Sequence, residues 1–283
     1  MKVLMIGAHQ DDNEICCGGL AHKYVKMGYE VRFLSVCDGS GGHHMMTPEE
    51  TVARRAKESK KVAEFLGIRY DVWDIVDCNL VADLSTRKRM IRYIREYNPD
   101  MIITHRTNDY MPDHRACGWL VQDASYLLML PHECPDVPAM NKMPLIMYYE
   151  DGFSNPVFKA DIIIDIDDDI DKKMKILDIH ESQFYEWLPY VEENGAVAPK
   201  DPEGRRMWLM GMEISKDTTD EEIMNAERGY GVSFAKTAAR FRKELIEKYG
   251  SERGSKVRYA EAFEFCEYGG ALTEELKEKL FSF

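Results

Sequence analysis

No hydrophobic run in this chain is long enough to cross a bilayer. The N-terminus passes from Met1-Lys2 through Val3-Leu4-Met5-Ile6 straight into the polar Gly7-Ala8-His9-Gln10-Asp11-Asp12, too short an apolar stretch for a signal peptide or a membrane span. Basic charge is also scarce: 37 Lys and Arg stand against 50 Asp and Glu, a formal charge of −13 over 283 residues. That balance argues against a broad nucleic-acid-binding face or an anionic-membrane anchor and leaves small or neutral partners. Cysteine lacks a pattern. The seven residues, at 16, 17, 37, 78, 117, 134 and 266, are an odd number in a chain too large to need staples, and they read as reduced core residues of a cytoplasmic protein. Repeats, low-complexity tails and composition breaks are missing too. Residues 1–283 are therefore expected to form one domain, with 190–283 an elaborated C-terminal region packing on or covering the core.

What is there is alternation. The 45% hydrophobic and 31% charged content is that of a folded chain. Val3 to Ile6 and Val31 to Val36 are compact apolar runs suited to buried strands, each followed by a glycine-containing turn; between them Ile15 to Met27 has helical spacing. Pro48-Glu49-Glu50 opens a helix that Gly67 closes, Thr86 to Tyr97 forms another before Asn98-Pro99, and Met101 to Thr104 is a short buried strand. Tyr70 to Val76, Leu145 to Tyr149 and Ala160 to Ile166 complete the strands. Helices are expected over Arg115 to Leu130, Asp171 to Trp187, Asp217 to Arg228 and Ala235 to Tyr249, with a helical tail from Arg258. The grammar is βαβ repeated, and it predicts an α/β fold: a Rossmann-like, mostly parallel sheet covered by helices on both faces.

The chemistry concentrates at strand exits. His9, Asp11 and Asp12 lie just beyond the first strand, where an open parallel sheet places its ligands. An imidazole and carboxylates in one turn can share a divalent metal, although the same residues also cap ordinary helices. A second polar cluster, His105 through His114, follows the strand at Met101 to Thr104. If the two strands are parallel, His114 comes towards His9 and the adjacent aspartates, and two histidines with one carboxylate make a common catalytic zinc set with a position open for water or substrate. Spacing alone leaves open which of Asp11 and Asp12 takes the metal.

Ala8-His9-Gln10-Asp11-Asp12-Asn13-Glu14 together with Pro112-Asp113-His114-Arg115 resembles the LmbE-like deacetylase family, which includes the glycosylphosphatidylinositol-precursor deacetylases. Further matches follow in family order: Arg55-Ala56-Lys57-Glu58 before Leu66-Gly67, His180-Glu181-Ser182-Gln183, and Tyr259-Ala260-Glu261-Ala262-Phe263. The chain departs from the family's Ala-His-Pro-Asp-Asp-Glu at Gln10 and Asn13. The resemblance implies a Rossmann-like, zinc-dependent N-deacetylase acting on an N-acetylglucosamine-type sugar or conjugate. It implies Zn²⁺ ligation by His9, Asp12 and His114, with Asp11 as the general base. It places Asp113 as an acid beside the ligand histidine, and Arg55, Tyr110 and His180 around the substrate. The family includes oligomeric enzymes, so a homo-oligomer is also expected.

One departure bears on mechanism. Where family members often carry a histidine before Pro-Asp-His, this chain has Met111, which cannot donate a comparable hydrogen bond to an oxyanion; Tyr110, His105 or a later loop are the candidates to replace it. A catalytically weak carbohydrate-binding or metal-binding protein on the same scaffold is the alternative that Met111 motivates. A dinucleotide-dependent oxidoreductase ranks far lower, because Gly7-Ala8-His9-Gln10-Asp11-Asp12 lacks the close-approach glycines. The acidic run Asp165, Asp167, Asp168, Asp169 and Asp171 lacks the glycine-centred loop of an EF-hand and reads as a strand end and helix start. Asp38 to His44 is a flexible loop at a strand exit, and Trp187, Tyr190, Trp208, Met210 and Met212 read mainly as core.

Overall fold

In the computed structural model, which describes residues 1–192 and 195–283, the chain alternates as its sequence predicts. In order come β1 (Lys2–Gly7), α1 (Asp12–Lys26), β2 (Glu30–Cys37), α2 (Pro48–Leu66), β3 (Arg69–Ile75), α3 (Leu84–Tyr97), β4 (Met101–Thr104), α4 (Pro112–Leu127), β5 (Leu145–Tyr149), β6 (Ile162–Asp165) and α5 (Ile170–Ile179). A π-helical turn, Ser182–Trp187, then leads through α6 (Leu188–Glu192), α7 (Pro202–Met210), α8 (Asp220–Asn225), α9 (Tyr230–Arg240) and α10 (Arg242–Gly254) to β7 (Ala260–Phe265) and α11 (Glu274–Phe281). The long helix expected from Asp171 breaks at His180, and α7 occupies part of the turn-rich stretch from Tyr190 to Gly204, of which 193 and 194 lie outside the described residues.

The described strands form a seven-stranded sheet in the order β3-β2-β1-β4-β5-β7-β6. Strands β1 to β5 pair in parallel, and β7 runs antiparallel between β5 and β6. Both faces are covered. Val3 and Met5 of β1 look into one apolar cluster with Leu20 of α1, and Leu4 and Ile6 into another with Leu120 of α4, which is why the strand is apolar at every position. The sheet places β1 beside β4, so the loops leaving both strands meet at one edge.

The tail from Arg258 is a correction: it is the strand β7, not a helix. Ala260, Glu261, Ala262 and Glu264 favour helix in isolation, but the open edges of β5 and β6 offer two ladders that override propensity. That strand also steadies the site. Helix α1 is interrupted at Cys17 (φ −145°, ψ 19°), and the Glu261 carboxylate accepts from the amides of Gly19 and Leu20 at 2.8 Å each, acting as a cap for the second half of the helix. Lys173 neutralises it at 2.6 Å inside the core. The acidic run after β6 is likewise engaged: Asp169 binds His22 and Lys23 at 2.6 Å each, and Asp165 binds Arg253.

Candidate metal centre and active site

The turn after β1 is tight. A Cβ on Gly7 would stand 2.7 Å from the Cβ of Asp12, so only glycine lets the chain fold the first turn of α1 back over the strand end. The His9 amide then donates to Asp12 Oδ2 at 2.8 Å, which fixes this carboxylate over the turn. From the neighbouring strand exit, the first turn of α4 delivers His114. His9 Nδ1 lies 3.3 Å from His114 Nε2 and 3.7 Å from Asp12 Oδ2, and His114 Nε2 lies 3.4 Å from Asp12 Oδ1. Donors ~2.0–2.2 Å from one tetrahedral ion stand about 3.3–3.6 Å apart, so these three fit a common zinc-sized cation. His9, Asp12 and His114 could therefore hold a metal ion.

Each imidazole has carboxylate support on its other nitrogen. His9 Nε2 lies 3.1 Å from Asp77 Oδ1 and 3.3 Å from Asp113 Oδ2; His114 Nδ1 lies 3.1 Å from Asp109 Oδ2. Such partners fix ring orientation and make the metal-facing nitrogen more basic. Asp113 is itself pinned, accepting from the amides of Cys78 (2.7 Å) and Leu80 (3.2 Å). His105, at the end of β4, lies 3.1 Å from Asp12 Oδ2 and stacks on His114 with ring centroids 4.1 Å apart.

The field of these acids shows in the titration of the histidines. Burial alone would depress His9, but Asp113, Asp77 and Asp12 hold it up at about 9. Burial opposes protonation of His114 as well, and Asp12 and Asp109 raise it to about 10. Asp12 stays well below the ordinary carboxylate range: burial would raise it, and His114 and His105 outweigh burial. His105 is pushed down by burial and by His114. The cluster demands positive charge where the three donors converge, and a divalent cation meets that demand.

Asp11 sits beside this centre in a rare backbone conformation, φ 154° and ψ −28°. Burial raises its carboxyl to about 6 against the pull of Arg55, whose Nη2 is 3.4 Å from Asp11 Oδ1. Arg55 is only 2% exposed and donates to Gln10 O at 2.8 Å. Gly39 closes over it: at φ 74°, a Cβ there would lie 2.5 Å from Gln10 Oε1 and 2.8 Å from Arg55 Nη1.

Other expected residues scatter in role. Tyr110 is 76% exposed, its ring 6.4 Å from that of His114 and 6.1 Å from that of Phe153. His180 is fully buried, with Nε2 2.7 Å from Glu14 Oε1, and its charge acts on the Asp11 carboxyl. Met111 immediately precedes α4 with extended backbone (φ −80°, ψ 124°), three residues before His114. Sequence reasoning missed Asp77 as a partner of His9, since it follows the short, half-buried β3 and carries no motif. Asp109 lies inside the polar cluster without a role read from sequence, and His105 is read there only as a candidate oxyanion donor. A histidine immediately after a buried strand is the available signal.

A sequence profile of the PIG-L family, GlcNAc-PI de-N-acetylase, matches residues 4–125. Diacetylchitobiose deacetylase of Thermococcus kodakarensis is 30% identical over 206 residues, 67% of this chain and 74% of its own. 4-Oxalmesaconate hydratase of Pseudomonas putida is 24% identical over 198 residues, 67% of this chain and 77% of its own. Among solved structures, N,N'-diacetylchitobiose deacetylase from Pyrococcus horikoshii superposes with a TM-score of 0.64 at 23% identity, covering 94% of this chain and 84% of that one. The 4-carboxy-2-hydroxymuconate hydratase of Pseudomonas putida reaches a TM-score of 0.70 at 18% identity, covering 96% and 98%. These two structures share the fold.

Proposed function

Because the chain belongs to the PIG-L/LmbE-like deacetylase family, we propose that it is a zinc-dependent hydrolase that removes the acetyl group from an N-acetylglucosamine-type sugar or conjugate. One observation carries the reading: His9 Nδ1, Asp12 and His114 Nε2 converge within 3.3–3.7 Å, with the Asp11 carboxylate beside them. Zn²⁺ held by His9, Asp12 and His114 would supply a Lewis acid that acidifies water and polarises an acyl carbonyl.

The chain's own residues do the rest. Asp11, ionised at neutral pH, takes the proton of the attacking water and returns it to the departing nitrogen, so that amide and water become acetate and amine. Arg55 holds Asp11 and the Gln10 carbonyl in place. Asp77, Asp113 and Asp109 hold the two imidazoles, and His105 Nε2 lies 3.1 Å from Asp12 Oδ2 and 3.3 Å from the Ala8 amide. The seven free thiols, Cys78 exposed among them, fit a reducing cytoplasm.

The hydratase relatives raise a polycarboxylate as another substrate class. The charge of the site opposes it. Five carboxylates, Asp11, Asp12, Asp77, Asp109 and Asp113, surround the centre, while Arg55 is engaged by Asp11, Arg106 by Asp151, and Arg115 donates to the Asp109 and Tyr110 carbonyls. A neutral acetamide suits this field better. Met111 carries the second reading, a protein that binds metal and sugar with little turnover.

The test joins metal analysis to an acetate-release screen over N-acetylglucosamine, its short oligomers and its conjugates, with His9→Ala and His114→Ala as controls. Stoichiometric zinc and acetate release, both lost in the controls, are expected. Sugar binding without hydrolysis across the series favours the second reading.

A further inference from the structure

The ladder between β2 and β3 stops short of the metal centre. It ends at the pairing of Cys37 with Ile75, after a register shift between Ser35 and Cys37, and the Asp38 amide adds a last bond to Ile75 O at 2.8 Å. Asp77, whose Oδ1 lies 3.1 Å from His9 Nε2, is two residues beyond that ladder. Strand pairing therefore does not place it. A carboxylate that must face one nitrogen of a buried ring needs another support.

Asp38 supplies it. Its Oδ1 accepts from the Asp77 amide at 3.1 Å and from the Ser40 amide at 2.9 Å, and Ser40 Oγ lies 3.3 Å from the same Asp77 amide. Asp38 is held in turn through its carbonyl, which accepts from Gln10 Nε2 at 3.0 Å. Gln10 is fully buried and its own carbonyl accepts from Arg55 Nη2 at 2.8 Å, so the side chain leaves a fixed peptide. Gly39 makes the room: a Cβ there would stand 2.5 Å from Gln10 Oε1. The stretch from Asp38 to His44, flexible by composition, is thus pinned where it begins. The contacts close a ring, from His9 through its neighbour Gln10 to Asp38, then to Asp77, and back to the His9 imidazole. The proline that the family pattern carries at position 10 has no N–H to donate and could not complete it.

We infer that Gln10 and Asp38 are positioning residues for the metal ligand His9: Gln10 sets the peptide of Asp38, Asp38 sets the amide of Asp77, and Asp77 sets the ring that presents Nδ1 to the metal. What Asp38 contributes is an acceptor oxygen aimed at an amide, so an uncharged acceptor of the same shape can do its work. A ring already held at the right angle loses little freedom when the ion arrives, and the relay therefore raises metal affinity. The inference rests on the metal centre of the proposed function and is independent of the sugar.

Zinc affinity of the full-length chain, read by competition with a chromophoric chelator, tests the relay without turnover. Asp38→Ala should weaken zinc by about five- to ten-fold, and Asp38→Asn, whose amide oxygen still accepts, should stay within about two-fold of the parent. Gln10→Met keeps the bulk of the side chain without its donor and should match Asp38→Ala; it leaves the Asp38 carboxylate in place and so carries the test if Asp38→Ala does not fold. In an Asp77→Ala background, Asp38→Ala should cost nothing further, because the carboxylate it delivers is gone. Parental affinity in Asp38→Ala or in Gln10→Met overturns the relay. So does an equal loss with and without Asp77, which is what a merely structural loop would give. The predicted order of affinities in a protein that releases acetate from none of the sugars keeps the relay and sinks the deacetylase reading. Acetate release with parental affinity in both variants does the reverse.

Discussion

His9 Nδ1 and His114 Nε2 face each other at 3.3 Å, and each ring has a carboxylate on its far side. Two imidazole lone pairs at that distance repel, and two imidazolium N–H groups repel more; the arrangement is favourable only with a cation or shared proton between them. The acids that surround the pair supply the compensating field.

Loss of any donor should abolish stoichiometric zinc. His9→Ala, Asp12→Ala and His114→Ala are each expected to retain the fold by circular dichroism and to lose the metal after dialysis. Removing support is milder: Asp77→Asn and Asp109→Asn should weaken zinc by about 10–100-fold in competition with a chromophoric chelator. Wild-type affinity in Asp77→Asn would mean that Asp113 alone orients His9.

Asp11→Asn separates binding from chemistry. The amide keeps the shape of the side chain but cannot accept the proton of water, so zinc content should stay at one equivalent while kcat falls by about 10²–10⁴. Undiminished turnover would remove Asp11 from the role of base.

Arg55 lies beneath the site, where it grips Gln10 O and Asp11. Arg55→Lys retains the charge and loses the planar fork. The expected signature is a fall in kcat of about ten-fold or more with KM nearly unchanged, because Asp11 is misplaced while the sugar contacts persist. A rise in KM at constant kcat would show instead that the guanidinium touches substrate.

The legible part of this molecule follows from local pattern. Val3 to Ile6 and Met101 to Thr104 are apolar at every position because they are buried on both faces, and Pro48 and Gly67 bound α2 through fixed φ at one end and a left-handed cap at the other. The pairing of β1 with β4 then brings together His9, Asp12 and His114, residues that a parallel sheet puts on one edge. Less legible are features with no local signal. Asp77 meets His9 only through the register of β3, and β7 is a strand only because β5 and β6 leave edges for it. The stack of His44 on Tyr190 joins segments 146 residues apart, a relation that composition and periodicity do not encode.

His180 and Glu14 form a fully buried pair at 2.7 Å. Burial would lower the His180 pKa, and Glu14 outweighs it, so the folded value lies above the ordinary 6.5. Below pH 6.5 both folded and unfolded chains carry the proton, and the stabilisation is complete. As pH rises beyond 6.5 the unfolded chain releases its proton first, and the contribution declines until the folded pKa is passed. His180→Ala should therefore destabilise by about 3–5 kcal/mol at pH 6, where it strands the Glu14 carboxylate, and by less at pH 9. Adding Glu14→Gln should recover most of the loss. Urea midpoints at the two pH values measure this; an equal deficit at both would mean that the pair contributes through packing alone.

Met111 stands three residues before His114 with a side chain that offers no hydrogen-bond donor. It immediately precedes α4, the helix whose first turn carries His114, and its backbone is extended rather than helical. His105 Nε2 lies 3.1 Å from Asp12 Oδ2 and 3.3 Å from the amide of Ala8, which occupies that nitrogen. A histidine at position 111 would place a polar N–H where charge develops on the acyl oxygen during attack. Removal of such a donor typically lowers kcat by about 10²–10³, and restoration in a site not evolved around it should return part of that. Met111→His is expected to raise kcat for acetamide hydrolysis by about ten-fold, with KM little changed because the contact forms in the transition state. If kcat does not move, the oxyanion already has a donor from another loop, and Tyr110→Phe then becomes the deciding variant: a matching drop in kcat would locate the donor in the Tyr110 hydroxyl.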